Sequence, residues 1–145
     1  MNTEVISAAP SRTAAVALLE ASDLPTADLT DGHMRHFFCC GPAAAPTALV
    51  GVELCGPNAL LRSLVVAPAH RSNGRGTALV RHAENFARQQ GARSIYLLTT
   101  TAESFFRRCG YVDADRQTAP QEIRETHEFS DICPATSAFL VKHLQ

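Results

Sequence analysis

The sequence VVAPAHRSNGRGTALV, residues 65–80, decides how this chain is interpreted. An apolar strand stops at positions 67 and 68, and Gly74 and Gly76 then lead into a segment whose apolar residues recur at helical spacing. A loop between a strand and a helix presents backbone N–H groups at the positive end of the helix dipole. Glycines let an anion approach that backbone closely. The stretch fits a phosphate-binding loop, although glycine pairs also occur in plain tight turns.

The segments on either side of this loop predict its neighbours in the fold. The helical pattern runs to residue 90 and ends at Gly91, where a C-terminal glycine belongs, and residues 94–99 (SIYLLT) form an apolar strand. A strand, a glycine-rich turn, a helix and a strand make a βαβ unit with two parallel strands. Upstream, residues 48–55 and 59–66 read as strands separated by Gly56, Pro57 and Asn58, which predicts an antiparallel hairpin.

The remaining segments complete a mixed architecture. We expect strands at residues 4–7, 36–40 and 137–143 and another after Gly110, and helices at 12–21, 102–109 and 120–129, the first capped by Ser11. Strand-like and helix-like periods alternate along the chain without a repeat or a long linker. The sequence therefore predicts one α/β domain over residues 1–145, with a mixed central sheet, one parallel strand pair and helices on both faces.

The loop matches neither of two familiar nucleotide motifs. The ATP-binding P-loop requires a lysine that is absent here, and the dinucleotide fingerprint requires a glycine where Leu79 stands. The pattern present is R-x-x-G-x-G, residues 71–76, and AESFFRRCGY follows at 102–111. Together they strongly resemble the GCN5-related N-acetyltransferase (GNAT) superfamily, most clearly over residues 48–112. LLRSLVVAPAHR, YLLTTTAESFF and IRETHEFSDICPATSAF are similar to a narrower group, the arsenic-resistance-type N-acetyltransferases.

The resemblance implies a GNAT acyl-CoA N-acyltransferase fold, with a splayed parallel strand pair and acetyl-CoA as cosubstrate. It assigns the pyrophosphate to backbone amides of the signature loop, namely Arg71, Ser72, Asn73, Gly74, Arg75, Gly76 and Thr77. It assigns the pantetheine arm to the strand backbone at Leu64, Val65 and Val66, and further coenzyme contacts to Thr99 and Phe105. Thr99 stands where many relatives have an asparagine. Phe106 stands where a tyrosine often protonates the departing thiolate, so that residue is excluded as a general acid here.

A base is expected near the thioester because an amine must be neutral to attack. Glu53 is the leading candidate, since it lies on the strand next to the one that binds the thioester. An even-numbered hairpin loop would place it opposite Arg62, so a structural ion pair is the competing interpretation. The weaker candidates for the base are His70, His127 and Glu128. Arg62, Thr100 and Arg124 are candidates for binding a carboxylate or phosphinate-like group of the acceptor.

Composition limits the partners. The chain has 145 residues, 46% of them hydrophobic, and a formal net charge of −1, which disfavours nucleic acids and anionic membranes as ligands. The five cysteines, at positions 39, 40, 55, 109 and 133, show no zinc spacing, so we expect no metal site. Their odd number and the lack of a secretion signal favour the reducing cytoplasm. A homodimer is left open.

The leading interpretation is acetylation of a small-molecule amine. The narrower resemblance implies an amino-acid-like arsenical or a phosphinothricin-like toxin as the acceptor, acetylated for detoxification. The alternative is a non-catalytic acyl-CoA-binding module or a thiol-based arsenic sensor, which Phe106, Thr99 and the cysteines would suit. Acetylation of basic proteins is weaker, because a chain of net charge −1 shows no obvious acidic groove.

Overall fold

The computed structural model describes residues 6–24, 26–71, 74–126, 129 and 137–144. Seven strands are present, namely β1 (Ile6–Ala8), β2 (Phe37–Cys40), β3 (Ala48–Cys55), β4 (Asn58–Val66), β5 (Ser94–Thr99), β6 (Val112–Asp113) and β7 (Ala138–His143). The α-helices are α1 (Arg12–Glu20), α2 (Asp31–Met34), α3 (Arg75–Gln89), α4 (Glu103–Arg108) and α5 (Gln121–Arg124). No described helix combines the length and apolar character needed to cross a membrane.

The strands form one mixed sheet in the order β1-β2-β3-β4-β5-β7-β6. β4 and β5 are parallel, with Asn58 opposite Ser94 and Leu60 opposite Tyr96. The pairs β1–β2, β2–β3, β5–β7 and β6–β7 are antiparallel. The predicted mixed sheet with one parallel pair is therefore confirmed.

Most predicted boundaries agree with the structure to within a residue or two. Ser11 caps α1 by accepting a hydrogen bond from the Ala14 N–H, 3.4 Å away. β5 has the predicted bounds, and Gly91 follows α3 with a positive φ of 96°. The first strand extends to Ala8, and positions 4 and 5 of its predicted span lie outside the described residues.

The helix predicted over residues 120–129 is interrupted in the structure: residues 125 and 126 are not helical, residues 127 and 128 lie outside the described residues, and Phe129 is π-helical. α5 spans only Gln121–Arg124, and Glu125 closes it. The hydroxyl of Thr126 donates to the carbonyl oxygen of Ile123 at 2.7 Å. A threonine side chain that takes a backbone acceptor in this way competes with the helical hydrogen-bond ladder, which explains the early end.

The chain divides into two compact units. The first contains Met1–Val52 and Ser63–Ala83, and the second contains Glu53–Arg62 and Glu84–Gln145. The core of the first unit joins α1, α2 and the first strands of the sheet through Ala15, Leu19, Leu29, Met34, Phe37, Cys39, Leu49 and Val65. The core of the second unit lies under α5 and contains Leu60, Leu98, Ala119, Ile123 and Phe139. The single-domain organisation expected from the sequence stays a prediction.

Candidate active site

The signature loop of the first unit connects β4 to α3. After Val66 the chain makes a short 3₁₀ turn over Pro68–His70, and α3 begins at Arg75. Gly74 has a φ of 77°, and a side chain there would meet no heavy atom within 4 Å, so the glycine is required by its conformation and faces open space. Ser72 and Asn73, both predicted coenzyme contacts, lie outside the described residues.

The first turn of α3 has backbone N–H groups that no carbonyl oxygen of the helix accepts. The Ala78 N–H donates to the carbonyl oxygen of Gly74 at 3.0 Å. Gly76 and Thr77 precede that bond, in the first turn of the helix, where backbone N–H groups have no intrahelical acceptor. The helix dipole adds positive potential at the same point. This geometry suits an anion such as a phosphate.

Two arginines hold the loop in shape. The Arg71 Nε donates to the carbonyl oxygen of Val66 at 2.9 Å, and the Arg75 Nη1 donates to the carbonyl oxygen of His70 at 3.0 Å. Both side chains therefore bind backbone oxygens of the loop itself. A guanidinium has five N–H donors, so the exposed Arg71 keeps donors for an anion after making this bond.

The middle of β4 departs from regular strand geometry. Ser63 has a φ of 60°, which is uncommon for a residue with a side chain and typical of an irregularity in a strand. The parallel pairing with β5 covers Asn58 to Leu60 and ends before Ser63. Leu64, Val65 and Val66 follow it, and their side chains are apolar and half-buried or buried.

The second unit contains the other predicted coenzyme contacts. The Thr99 Oγ1 accepts a hydrogen bond from the Ala102 N–H at 3.0 Å, just before α4. Phe105 is half-buried and makes an edge-to-face contact with Phe106 at 5.1 Å between ring centroids. Phe106 is buried and also contacts Tyr111, which makes it a packing residue.

Glu53 and Arg62 form the ion pair expected for an even-numbered hairpin loop. β3 ends at Cys55 and β4 begins at Asn58, so the loop between them has two residues. The Arg62 Nη1 donates to the Glu53 Oε2 at 2.8 Å. The Arg62 side chain is 0% exposed and the Glu53 side chain is 19% exposed. The carboxylate thus reaches the surface while the guanidinium does not.

The other candidate acceptor residues occupy different surroundings. Thr100 and Arg124 are exposed, the first after β5 and the second at the end of α5. Arg62, by contrast, presents no surface to an acceptor in this structure. His127 and Glu128 lie outside the described residues.

The structure adds Cys55 to the surroundings of Glu53, and Glu122 to those of Cys55, and sequence reasoning had missed both. Burial raises the pKa of the Cys55 thiol to about 11, and the charges of Glu53 and Glu122 add to the shift. Glu122 also accepts a hydrogen bond from the Asn58 amide at 3.4 Å. Cys55 lies two residues after Glu53 in one strand, so strand periodicity alone would have placed their side chains on one face.

The adjacent cysteines of β2 are poorly placed to bind an arsenical. Cys39 and Cys40 are both buried, and burial raises the pKa of Cys39. Successive side chains of a strand point to opposite faces, so these two sulfurs are directed apart. Cys133 lies outside the described residues. The described thiols therefore give the sensor interpretation little support.

Comparison with protein families shows the family to which the chain belongs. The profile of the acetyltransferase (GNAT) family matches residues 13–111, which is more than half of the chain. The protein therefore belongs to the acetyltransferase (GNAT) family.

Curated relatives are distant and longer. An uncharacterized N-acetyltransferase of Chlorobaculum tepidum is 32% identical over 101 residues, covering 63% of this chain and 59% of that protein. An amino-acid acetyltransferase of Ralstonia nicotianae is 33% identical over 93 residues, covering 64% of this chain and 19% of that protein. Streptothricin acetyltransferase of Streptomyces lavendulae is 32% identical over 87 residues, covering 56% of this chain and 46% of that protein. The chain thus spans less than two thirds of the length of each.

Solved structures confirm the fold. N-acetylglutamate synthase from Neisseria gonorrhoeae, complexed with coenzyme A and N-acetyl-glutamate, aligns with a TM-score of 0.82 at 19% identity. The alignment covers 100% of this chain and 36% of that one. A GNAT-family acetyltransferase from Staphylococcus aureus aligns with a TM-score of 0.79 at 14% identity, covering 99% of this chain and 100% of that one. The sheet with its parallel pair is the GNAT acyl-CoA N-acyltransferase fold.

Proposed function

We propose that this protein is an acetyl-CoA-dependent N-acetyltransferase that acts on the amine of a small molecule. The observation that carries the proposal is the signature loop. Gly74 has a positive φ with open space where a side chain would stand, and α3 begins directly after it, so the backbone N–H groups of the first helical turn have no intrahelical acceptors. Membership of the GNAT family makes the pyrophosphate of acetyl-CoA the expected anion.

The coenzyme is proposed to bind mainly through backbone groups. The amides of residues 71–77 would bind the pyrophosphate, and the backbone of Leu64, Val65 and Val66 would bind the pantetheine arm as an added strand would. The end of the parallel pairing at Leu60 and the positive φ of Ser63 support this assignment, because they mark where β4 departs from regular pairing. Thr99 and Phe105 are proposed as additional contacts.

Glu53 is proposed as the general base. The neutral amine attacks the thioester carbon, a C–N bond forms, and the C–S bond breaks. The proton on nitrogen passes to the Glu53 carboxylate, directly or through one water. Coenzyme A leaves as the thiolate and takes a proton from solvent, because Phe106 has none to give. A thiol has a pKa of ~8.5, so its thiolate is a tolerable leaving group without a positioned acid.

The acceptor is proposed to be amino-acid-like, including arsenicals and phosphinothricin-like compounds. Support comes from the similarity of residues 60–71, 96–106 and 123–139 to arsenic-resistance-type enzymes, and from relatives named for amino-acid and streptothricin acetylation. The exposed Arg124 and Thr100 are proposed to bind the acidic group of such an acceptor. A net charge of −1 favours a small molecule over a nucleic acid or an anionic membrane. A homodimer stays a prediction.

A cytoplasmic location is proposed as well. Cys39, Cys40, Cys55 and Cys109 are not joined in disulfides, which is the usual state of cysteines in a reducing compartment.

Calorimetric titration with acetyl-CoA, combined with a coenzyme A release assay over a panel of amines, tests the proposal. The panel contains phosphinothricin, an amino-acid arsenical, glutamate and streptothricin. We expect binding, and release with one acceptor class. Glu53→Gln should keep the binding and lose about 10²–10⁴-fold in turnover. Binding without release would favour the acyl-CoA-binding module, and no binding would overturn the assignment of the loop.

A further inference from the structure

Among the described residues, Arg62 has the largest fully buried side chain by volume. It lies on β4 next to the buried Leu61, and its side chain is 0% exposed. A guanidinium cannot lose its charge inside a protein, so its burial requires a compensating anion. Glu53 supplies one, with 2.8 Å between Arg62 Nη1 and Glu53 Oε2.

The pair is asymmetric in a way that bears on chemistry. The cation is fully enclosed, while the carboxylate is 19% exposed at its side chain. A guanidinium is planar and rigid, and because Arg62 is packed on all sides it offers a fixed donor. The bond engages Oε2 of Glu53 and restrains the orientation of the carboxylate.

We propose that Arg62 is a positioning residue, which holds the Glu53 carboxylate in the orientation from which its Oε1 can take the proton of the attacking amine. This inference rests on the proposed function of Glu53 as the base. In the transfer step the proton moves from the amine nitrogen to Glu53, and Arg62 keeps all of its own protons. Arg62 thus acts through Glu53 and touches neither acceptor nor coenzyme, in contrast to the role in acceptor binding that the sequence had suggested.

A purely structural ion pair is the competing explanation. It predicts that loss of Arg62 lowers stability and leaves the rate of the folded enzyme unchanged. A positioning role predicts that kcat falls while the KM for acetyl-CoA is unchanged, because misplacing a reacting group slows the chemical step. The two explanations also differ in how the substitutions combine: a positioning role predicts that the effects of changing Arg62 and Glu53 on kcat are coupled, and a purely structural ion pair predicts that they are independent.

The experiment is a double-mutant cycle of Arg62→Met and Glu53→Gln, with Arg62→Lys and Arg107→Met alongside. kcat, both KM values, acetyl-CoA binding and thermal unfolding are measured for each protein. Arg107 is the matched control, because it is an arginine in an ion pair with Glu103 and Asp113 outside the proposed site, and its loss should leave kcat within about two-fold.

We expect Arg62→Met to lower kcat about 10- to 100-fold in the wild-type background. In the Glu53→Gln background, Arg62→Met should lower kcat by no more than about two-fold, because that protein has no carboxylate for Arg62 to position. The kcat of Arg62→Lys should lie between those of wild type and Arg62→Met, since lysine keeps the positive charge but lacks the rigid, planar set of guanidinium donors. Acetyl-CoA binding should be unchanged throughout.

Unchanged kcat in folded Arg62→Met, or equal losses in both backgrounds, would overturn the inference and leave the proposed function intact. If Arg62→Met does not fold, Arg62→Lys decides between the explanations by the same comparison of backgrounds. A wild-type protein that binds acetyl-CoA and releases no coenzyme A would overturn the proposed function itself, and this inference with it.

Discussion

The Tyr111 hydroxyl donates a hydrogen bond to the Glu84 Oε2 at 3.0 Å, and both side chains are buried in the second unit. Lys142, the only lysine of the chain, donates to both oxygens of the same carboxylate, at 3.1 and 3.2 Å. It also donates to the carbonyl oxygen of Cys109 at 2.8 Å. The network joins α3, β7 and the segment before β6. The buried Glu84 carboxylate needs these partners, because a buried carboxylate is tolerated only when it is paired.

Breaking this network should destabilise the protein. Glu84→Ala leaves the Lys142 ammonium and the Tyr111 hydroxyl without their shared acceptor, and we expect a loss of about 3 kcal/mol in the free energy of unfolding. Tyr111→Phe removes one donor and should cost about 1–2 kcal/mol near neutral pH. Urea unfolding measures both. A loss below about 0.5 kcal/mol for Glu84→Ala would show that solvent replaces the network.

The cost of Tyr111→Phe should also depend on pH. Burial and the charge of Glu84 raise the pKa of Tyr111 above its ordinary value. The folded protein therefore keeps a proton that the unfolded chain loses above pH ~10, so this contribution to stability is complete below that pH and decreases above it. The stability difference between wild type and Tyr111→Phe should fall by about 1.4 kcal/mol per pH unit there. A constant difference across that range would contradict the burial of a protonated phenol.

Cys55 should not carry the acetyl group. Its pKa is raised to about 11, chiefly by burial, so the thiolate is scarce near neutral pH. We expect iodoacetamide to label Cys55 about 10²-fold more slowly in the folded protein than in denaturant, and Cys55→Ala to keep turnover. Mass spectrometry of protein incubated with acetyl-CoA should find no acetyl group at this residue. Acetylation of Cys55 would point to a two-step transfer instead.

Local patterns accounted for the elements that position the site. β5 has its predicted bounds because a short apolar run between Gly91 and the helix-forming segment of α4 leaves few alternatives. The contact of Glu53 with Arg62 was predicted only for an even-numbered hairpin loop, because loop length sets which positions of the two strands lie opposite each other, and the two-residue loop of the structure meets that condition. Such features depend on residues close in sequence.

What the sequence missed depends on distant or unusual geometry. The positive φ of Ser63 could not be predicted, because no glycine or turn signal marks it. Glu84 meets Lys142 across 58 positions of the chain, and no periodicity links them. The full burial of Arg62 was also unexpected, since arginine is mostly exposed unless it is paired. That burial is the reason why we propose that Arg62 supports Glu53 instead of binding the acceptor.

Gly51 should tolerate no side chain. A Cβ at this position would overlap the ring of Phe37, which lies opposite it in β2 and is fully buried. Because the ring is packed on all sides, we expect Gly51→Ala to cost about 1–3 kcal/mol in unfolding free energy. The double variant Gly51→Ala with Phe37→Leu should recover part of that loss relative to Phe37→Leu alone. Strictly additive losses would show that the overlap is relieved elsewhere.

The signature loop gives the sharpest test of coenzyme binding, because two glycines can be compared. Gly74 and Gly91 both have positive φ, 77° and 96°, and a Cβ at either would meet no atom within 4 Å. Gly74→Ala and Gly91→Ala should therefore each cost about 1–2 kcal/mol of backbone strain and lower stability alike. Only Gly74 lies in the loop proposed to bind the pyrophosphate.

Calorimetry separates the two effects. Relief of the strain at Gly74 would turn the loop and redirect the N–H groups at the start of α3, so Gly74→Ala should weaken acetyl-CoA binding about 10-fold or more. Gly91→Ala should leave binding within about two-fold, because it changes only the C-terminal end of α3. Equal weakening in both variants would mean that lowered stability alone reduces binding, and unchanged binding in Gly74→Ala would place the pyrophosphate elsewhere.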